Sequence, residues 1–273
     1  MILLNTIIYY DNYKEIETYC KEVYHLANAE NIYISICVNK MGDKQKSEIE
    51  KILGVDKKIH IYFPNNNEGY MNGMLFAYEQ FTKETKLQPD YIIMSNTDIQ
   101  YPDKEFLSKF IRKDYGEDIW GIAPSVYALR RLSYDNPVSY TRLTIGRIKR
   151  TILFTSLPIV RSLYVWLSEK KARIKKTKEQ SSSYIYLAHG CYFIIKRELA
   201  EVMSKHKYGV LLYSEEAYVA EEIYHHNKKM YYDSDLKIIH AEHSTTGKLK
   251  YARVAKYISS SLSYILKEYY DKQ

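Results

Sequence analysis

Four short stretches hold side chains whose types and spacing could do chemistry. In Asp90-Tyr91-Ile92-Ile93-Met94-Ser95-Asn96-Thr97-Asp98 an apolar run leads into Asn-x-Asp. A carboxylate at a strand end, beside an amide, can hold a divalent cation and the phosphates it bridges. The same triplet also suits a turn or a helix cap. Glu215-Glu216 opens an amphipathic run that reaches Asn227. Two acids there complement a helix macrodipole, and they could equally be a general base with a neighbour that positions it. Ile239-His240-Ala241-Glu242-His243-Ser244 closes a late apolar stretch, where a histidine could meet a metal or a pyrophosphate or simply face solvent. The fourth stretch runs from Asn65 to Gly73. Gly69 and Gly73 allow close backbone approach, and Asn65, Asn66, Asn67 and Asn72 supply donors and acceptors. It reads either as a ligand loop or as a tight turn plus helix cap. No Gly-Lys-Ser/Thr follows, so it is not a Walker A loop.

The elements that must carry these residues alternate. Leu3–Tyr10 is a continuous apolar run, which predicts a strand buried on both faces. Tyr13–Ala29 has helical spacing, Ile32–Val38 reads as a strand, Lys44–Leu53 as a polar helix and Ile59–Phe63 as a third strand. Helix Gly73–Thr85, strand Tyr91–Ser95, helix Phe106–Arg112 and a short strand Ile119–Ala123 follow. This pattern predicts an α/β fold: a mostly parallel, Rossmann-like central sheet flanked by helices. Ligands in such sheets bind beyond the carboxyl ends of the strands. Ala128–Ser183 breaks the alternation. After it come a strand-like run, Ile185–Ile195, interrupted at His189-Gly190, and helices over Arg197–Lys205 and Glu215–Asn227. Two short strands, Met230–Tyr232 and Lys237–His240, and a last helix, Val254–Tyr270, complete the chain.

The chain has 273 residues, 46% of them apolar, with only 10 Gly and 6 Pro, which excludes fibrous and loop-dominated classes. Its 30 tyrosines, together with abundant Lys, Ile and Asn, fit the coding bias of an AT-rich genome. Cys20, Cys37 and Cys191 are far apart, without a CxxC, which argues against a disulfide framework or structural zinc and suits a cytoplasmic setting. Met1–Ile8 lacks a basic flank and reads as a buried strand, not a signal peptide. The net charge of +7 is concentrated. Between Ala128 and Lys178 there are 13 Lys and Arg against two acids, Asp135 and Glu169, and the rest of the chain is slightly acidic. Within this window Ile152–Leu167 is apolar but short of a membrane span, and it contains Pro158 and Arg161. An interfacial helix on an anionic inner leaflet and a hairpin packed on the core or in a homodimer are the two readings. No nucleic-acid-binding motif accompanies the charge, so no nucleic acid partner is expected.

Taken in order, the Asn-Gly loop, the strand-end Asn-x-Asp, Gly190-Cys191-Tyr192-Phe193, the acid pair and the late histidine resemble the motif series of family 2 glycosyltransferases. The rhamnosyltransferase-like group of bacterial polysaccharide (capsule) assembly is the nearest in pattern. The resemblance runs from Leu3 to about Gly247, outside the basic middle. It implies a GT-A fold and a Mg2+ or Mn2+ ion held by Asp98 with His240. It also implies a donor side of Tyr9, Asp11, Asn39, Asn67, Gly69, Asn72 and Asn96, an acceptor side with Gly190 and Cys191, and Glu216 as inverting base with Glu215 beside it. Two departures bear on the site. Cys37-Val38-Asn39-Lys40 stands where the family has Asp-Asn-x-Ser, leaving Asn39 at the base-contact position. Glu216 replaces the usual Asp, which moves the carboxylate out by one methylene.

The division this implies is 1–127 nucleotide-sugar-binding half, 128–183 basic helical segment, 184–250 acceptor half and 251–273 C-terminal helix. The expected activity is hexosyl or deoxyhexosyl transfer from a UDP- or dTDP-sugar to a glycan or lipid-linked glycan, at the inner face of the plasma membrane. The alternatives are a sugar-nucleotide nucleotidyltransferase, whose Gly-rich, Lys-bearing signature Leu3–Lys14 lacks, and a non-catalytic membrane-associated scaffold.

Overall fold

The computed structural model describes residues 1–10, 13–39, 42, 46, 49–50, 56–174, 176–242 and 250–271 (of Arg173, the backbone alone). Most of the helix expected over Lys44–Leu53 lies outside them, as does Asp11. Strand β1 (Leu3–Tyr9) is buried along its whole length. Its alternation sorts two cores: Leu3, Ile7 and Tyr9 face one layer, Leu4 and Ile8 the other. The first layer holds α1 (Tyr13–Tyr24), whose buried Ile16, Tyr19, Cys20 and Val23 recur at helical spacing. The opposite layer holds α2 (Met71–Thr85), in which Gly73 lets the helix come down onto Ile8.

The strands β2 (Ile32–Val38), β3 (Ile59–Tyr62) and β4 (Tyr91–Ser95) join β1 in a parallel set, ordered β3-β2-β1-β4. Beyond β4 the order continues through later strands, and the sheet of the described residues becomes mixed. It adds β5 (Ile99–Gln100), then, after α3 (Phe106–Arg112), the strands β6 (Ile119–Ala128) and β7 (Ser133–Tyr134). After α4 (Ile145–Ser156) and α5 (Arg161–Ile174) come β8 (Ser183–Ile185) and β9 (Tyr192–Lys196). α6 (Arg197–Lys205), α7 (Glu215–His225), β10 (Lys229–His240) and α8 (Tyr251–Tyr269) complete the order.

β9 enters antiparallel between β4 and β6, so the sheet runs unbroken from the first half of the chain into the second. The strand expected over Ile119–Ala123 extends to Ala128 because it pairs with β10 along that length. β10 itself is one strand where two short ones were expected, with a register shift between Asp233 and Lys237. The run expected over Ile185–Ile195 divides into β8 and β9, which pair with different neighbours.

The apolar run Ile152–Leu167 is not one helix. α4 stops at Ser156, Pro158 sits in the connection, and α5 begins at Arg161. Both helices pack on α8. Two of the basic residues of this region face inward. Arg131 binds Asp135 and Glu242, and Arg142 binds Glu221, the backbone carbonyl of Tyr269 and the faces of Tyr224 and Tyr270. No helix among the described residues is long and apolar enough to cross a membrane.

Candidate functional site

The carboxyl ends of β4, β10 and the turn into β9 converge on one cluster. β5 pairs antiparallel with the end of β10, His240 opposite Ile99, and the Ala241 amide donates to the Asp98 carbonyl at 3.0 Å. This pairing holds Asp98 Oδ1 3.4 Å from His240 Nε2. Both side chains are buried, Asp98 at 8% and His240 at 7% exposure. Neither ring nitrogen of His240 has a hydrogen-bond partner among the described residues. A buried imidazole with two unsatisfied nitrogens is costly unless something binds there.

β9 supplies the opposite wall. The Asn96 amide donates to the Cys191 carbonyl at 2.9 Å, which continues the β4–β9 ladder past its last pair and brings Cys191 to the end of β4. A ring nitrogen of His189, Cys191 Sγ and a ring nitrogen of His240 all lie within 4.8 Å of one another. Buried Asn136 accepts from the His189 amide at 2.6 Å, and the Cys191 amide donates to His189 Nδ1 at 3.2 Å. That bond leaves Nε2 as the other ring nitrogen of His189. Asp135 stands 3.7 Å from that nitrogen. Burial, with His240 adding to it, pushes the His189 pKa down to about 3, which favours the neutral ring. Burial raises the Cys191 thiol and the Asp135 carboxyl.

Glu216 reaches the same wall from α7, with Glu215 beside it at the helix start. The turn before that helix has positive φ at Tyr213 (73°) and Ser214 (60°), a strained conformation for residues with side chains. The Tyr213 amide donates to Glu215 Oε1 at 2.8 Å. Burial, then the neighbouring Glu216, raises the Glu215 pKa to about 8. Burial also raises that of Glu216. Glu216 Oε2 lies against the backbone of Gly190, where a Cβ would come within 3.3 Å of it. His189-Gly190-Cys191 therefore separates the acid pair from the Asp98–His240 pair by one stretch of backbone.

The Asn-Gly loop is held by amides. Asn39 Nδ2 donates to the Gly69 carbonyl (2.6 Å) and the Tyr10 hydroxyl (3.0 Å), and its Oδ1 accepts from the Glu68 amide at 3.0 Å. Asn39, expected at the nucleobase, is thus spent on the loop. Asn67 accepts from the Gly69 amide, and Asn72 exchanges two hydrogen bonds with the backbone of Tyr208. Gly69 has φ +77°, and a Cβ there would lie 2.4 Å from the Leu211 carbonyl oxygen. The loop thereby rests on the segment that leads into α7. Tyr9, expected on the donor side, has its ring buried with α1, because strand alternation turns residue 9 to that face. Tyr10 faces the loop instead. Asn96 Oδ1 accepts from the Tyr70 hydroxyl at 2.5 Å, and that hydroxyl is also 3.3 Å from the Gly190 carbonyl.

Tyr70, Tyr10, Asp135 and His189 were not legible as site residues one at a time. Only His189 carried a signal, the His-x-Cys spacing that sets two side chains on one side of an extended segment.

This architecture, with its sheet continuous across both halves and its acidic and histidine residues at the strand ends, is the GT-A fold of glycosyltransferases. Among solved structures the chain is similar to a mannosyltransferase from Pyrobaculum calidifontis in complex with GDP-Man and Mn2+. That match has a TM-score of 0.57 and 11% identity over 97% of this chain and 63% of that one. It is likewise similar to GalNAc-T7 with UDP, GalNAc and Mn2+, with a TM-score of 0.59 and 11% identity over 99% of this chain and 49% of that one. The chain thus spans less than two thirds of either neighbour. At this identity the likeness is one of fold. No protein-family model matches the chain, and no curated protein matches it in sequence.

Proposed function

We propose that the chain is a metal-dependent, inverting glycosyltransferase of the family 2 type. It moves a hexosyl or deoxyhexosyl unit from a UDP- or dTDP-sugar to a hydroxyl of a lipid-linked or polysaccharide acceptor in cell-surface glycan synthesis. The observation that carries the reading is the buried pair Asp98–His240 at the carboxyl end of β4, whose imidazole makes no hydrogen bond among the described residues. Solved neighbours that share the fold were crystallised with Mn2+ and nucleotides or a nucleotide sugar, which supports it.

The donor set fits a divalent cation. Asp98 offers a carboxylate 3.4 Å from the His240 imidazole, and His240, His189 and Cys191 form a close group. When bound there, the cation would supply positive charge to the diphosphate of the donor as it leaves. Asn96, fixed by Tyr70, and the Asn67–Gly69 loop would line the donor side. Glu216 would take the proton of the acceptor hydroxyl as that oxygen attacks the anomeric carbon, and a single displacement inverts the configuration. Burial and the neighbouring Glu216 raise the Glu215 pKa to about 8, which favours a neutral Glu215 beside the base.

A thermal-shift series with UDP, dTDP and GDP, each with and without Mn2+, tests the reading. Stabilisation by UDP or dTDP that requires Mn2+ is expected. No shift with any nucleotide in Mn2+ would leave the scaffold alternative standing and remove the enzyme.

A further inference from the structure

The α4–α5 pair has an outward surface that its packing does not explain. α4 turns Ile148 and Thr155 inward, and α5 turns Val165 inward onto Val254 and Ala255 of α8. A helix docked in this way ordinarily leaves a polar outer face. Here the outer faces are apolar as well. On α4, Ile145, Leu153 and the following Leu157 stand four or eight residues apart and are exposed, with Phe154 beside them. On α5, Leu163, Trp166, Leu167 and Ile174 share one outward face at helical spacing. The turn between the helices carries Ile159, which is 93% exposed and follows Pro158.

Cations flank this apolar strip. Arg147, Lys149 and Arg150 on α4 and Lys170 and Lys171 on α5 are exposed, and among the described residues none pairs with an acid. Arg131 and Arg142, which pair with acids, point into the protein.

We propose that the α4–α5 pair docks the protein onto an anionic lipid bilayer. Leu157 and Ile159 at the turn, with Leu163 and Trp166, enter the boundary between headgroups and acyl chains, while the five cations meet lipid phosphates and carboxylates. Neither helix is long and apolar enough to cross a membrane, so the pair lies in the surface. A second copy of this chain is the weaker occupant, since five like charges on each partner would be brought together. The position gives docking a use. Val165 packs beside Tyr213, whose amide holds Glu215, so the lipid surface would lie next to the segment that carries the acid pair. Lipid binding itself does not rest on the glycosyltransferase reading, and either can fail without the other.

Vesicle flotation of the full chain tests the proposal, with phosphatidylcholine vesicles compared against phosphatidylcholine containing phosphatidylserine. The protein should float with the anionic vesicles only, and less so as salt is raised. Ile159→Asp should abolish flotation. Replacing Arg147, Lys149 and Arg150 together by Gln should weaken partitioning by about fivefold per charge removed. All four positions are exposed, so the thermal midpoint should hold, which separates lost docking from lost folding. Trp166 fluorescence should shift to the blue on binding, and Trp166→Phe should remove that shift. The proposal is overturned by equal flotation with neutral vesicles or by none. It is equally overturned by a light-scattering mass of two chains that Ile159→Asp reduces to one, which would assign the face to self-association.

Discussion

Asp98 Oδ1 and His240 Nε2 stand 3.4 Å apart at the end of a sheet, 142 positions apart in the chain, and both are buried. The pair exists because β5, two residues long, folds back onto the end of β10. These are the acid and the imidazole proposed above to hold a cation; the imidazole has no hydrogen-bond partner among the described residues, and His189 and Cys191 lie close to it.

Cobalt should report whether that wall takes part. Titrating Co2+ into the protein should give a near-ultraviolet sulfur-to-cobalt charge-transfer band, which Cys191→Ser removes. His240→Ala should weaken Co2+ binding by more than the roughly 10–100-fold that loss of a supporting partner costs. No such band in the parent protein with Co2+ bound would leave Cys191 out of the site, and a band that survives Cys191→Ser would come from another thiol.

Glu216→Gln should lower turnover by about 10²–10⁴-fold while leaving Mn2+-dependent nucleotide binding nearly intact. Burial raises the Glu216 pKa, and a base acts in its ionised form. Activity of the parent protein should therefore rise with pH through that raised pKa, and the residual activity of the variant should lack this limb. Near-parental turnover in Glu216→Gln would take the base role from this residue.

Glu215 makes a prediction about stability. Its folded pKa is about 8 against an ordinary 4.5, so between these values the folded chain binds a proton that the unfolded chain releases. Its contribution is fully present below about pH 4.5 and is lost as pH rises to about 8. Glu215→Gln can keep the bond from the Tyr213 amide and cannot ionise. Its thermal midpoint should fall less than the parent's across that window. Parallel curves would show that Glu215 ionises normally.

Arg142 joins α7, through Glu221, to the end of α8 at the Tyr269 carbonyl, and the Glu221 side chain is 1% exposed. Arg142→Met strands that carboxylate and should cost about 3–5 kcal/mol in urea unfolding. The double variant Arg142→Met, Glu221→Met should recover much of the loss. A cost under about 1 kcal/mol for the single change would mean that the bridge is well solvated.

Gly69→Ala should disturb the donor side without touching the metal cluster. The added methyl meets the Leu211 carbonyl, and φ +77° is unfavourable for alanine. Weaker nucleotide binding with an unchanged cobalt spectrum is expected. Unchanged nucleotide binding would show that the loop lies off the donor path.

Local periodicity by itself determined much of this protein. The apolar runs of β1, β2 and β4, the helical spacing of α1 and α6, and the placing of Asn96-x-Asp98 after a strand and Glu215-Glu216 at a helix start are all set by neighbours within a turn or two. Only the tertiary structure decided the rest, because strand pairing over long separations leaves no periodic trace. It inserted β9 antiparallel between β4 and β6, joined two expected strands into β10, and set β5 against that strand. It turned Tyr9 inward and Tyr10 toward the loop, and it committed the Asn39 amide to Gly69 and Glu68. Asp98 was readable as a candidate ligand from five apolar-to-polar residues. Its companion His240, and the wall of His189 and Cys191, depend on hydrogen bonds between segments that local spacing does not connect.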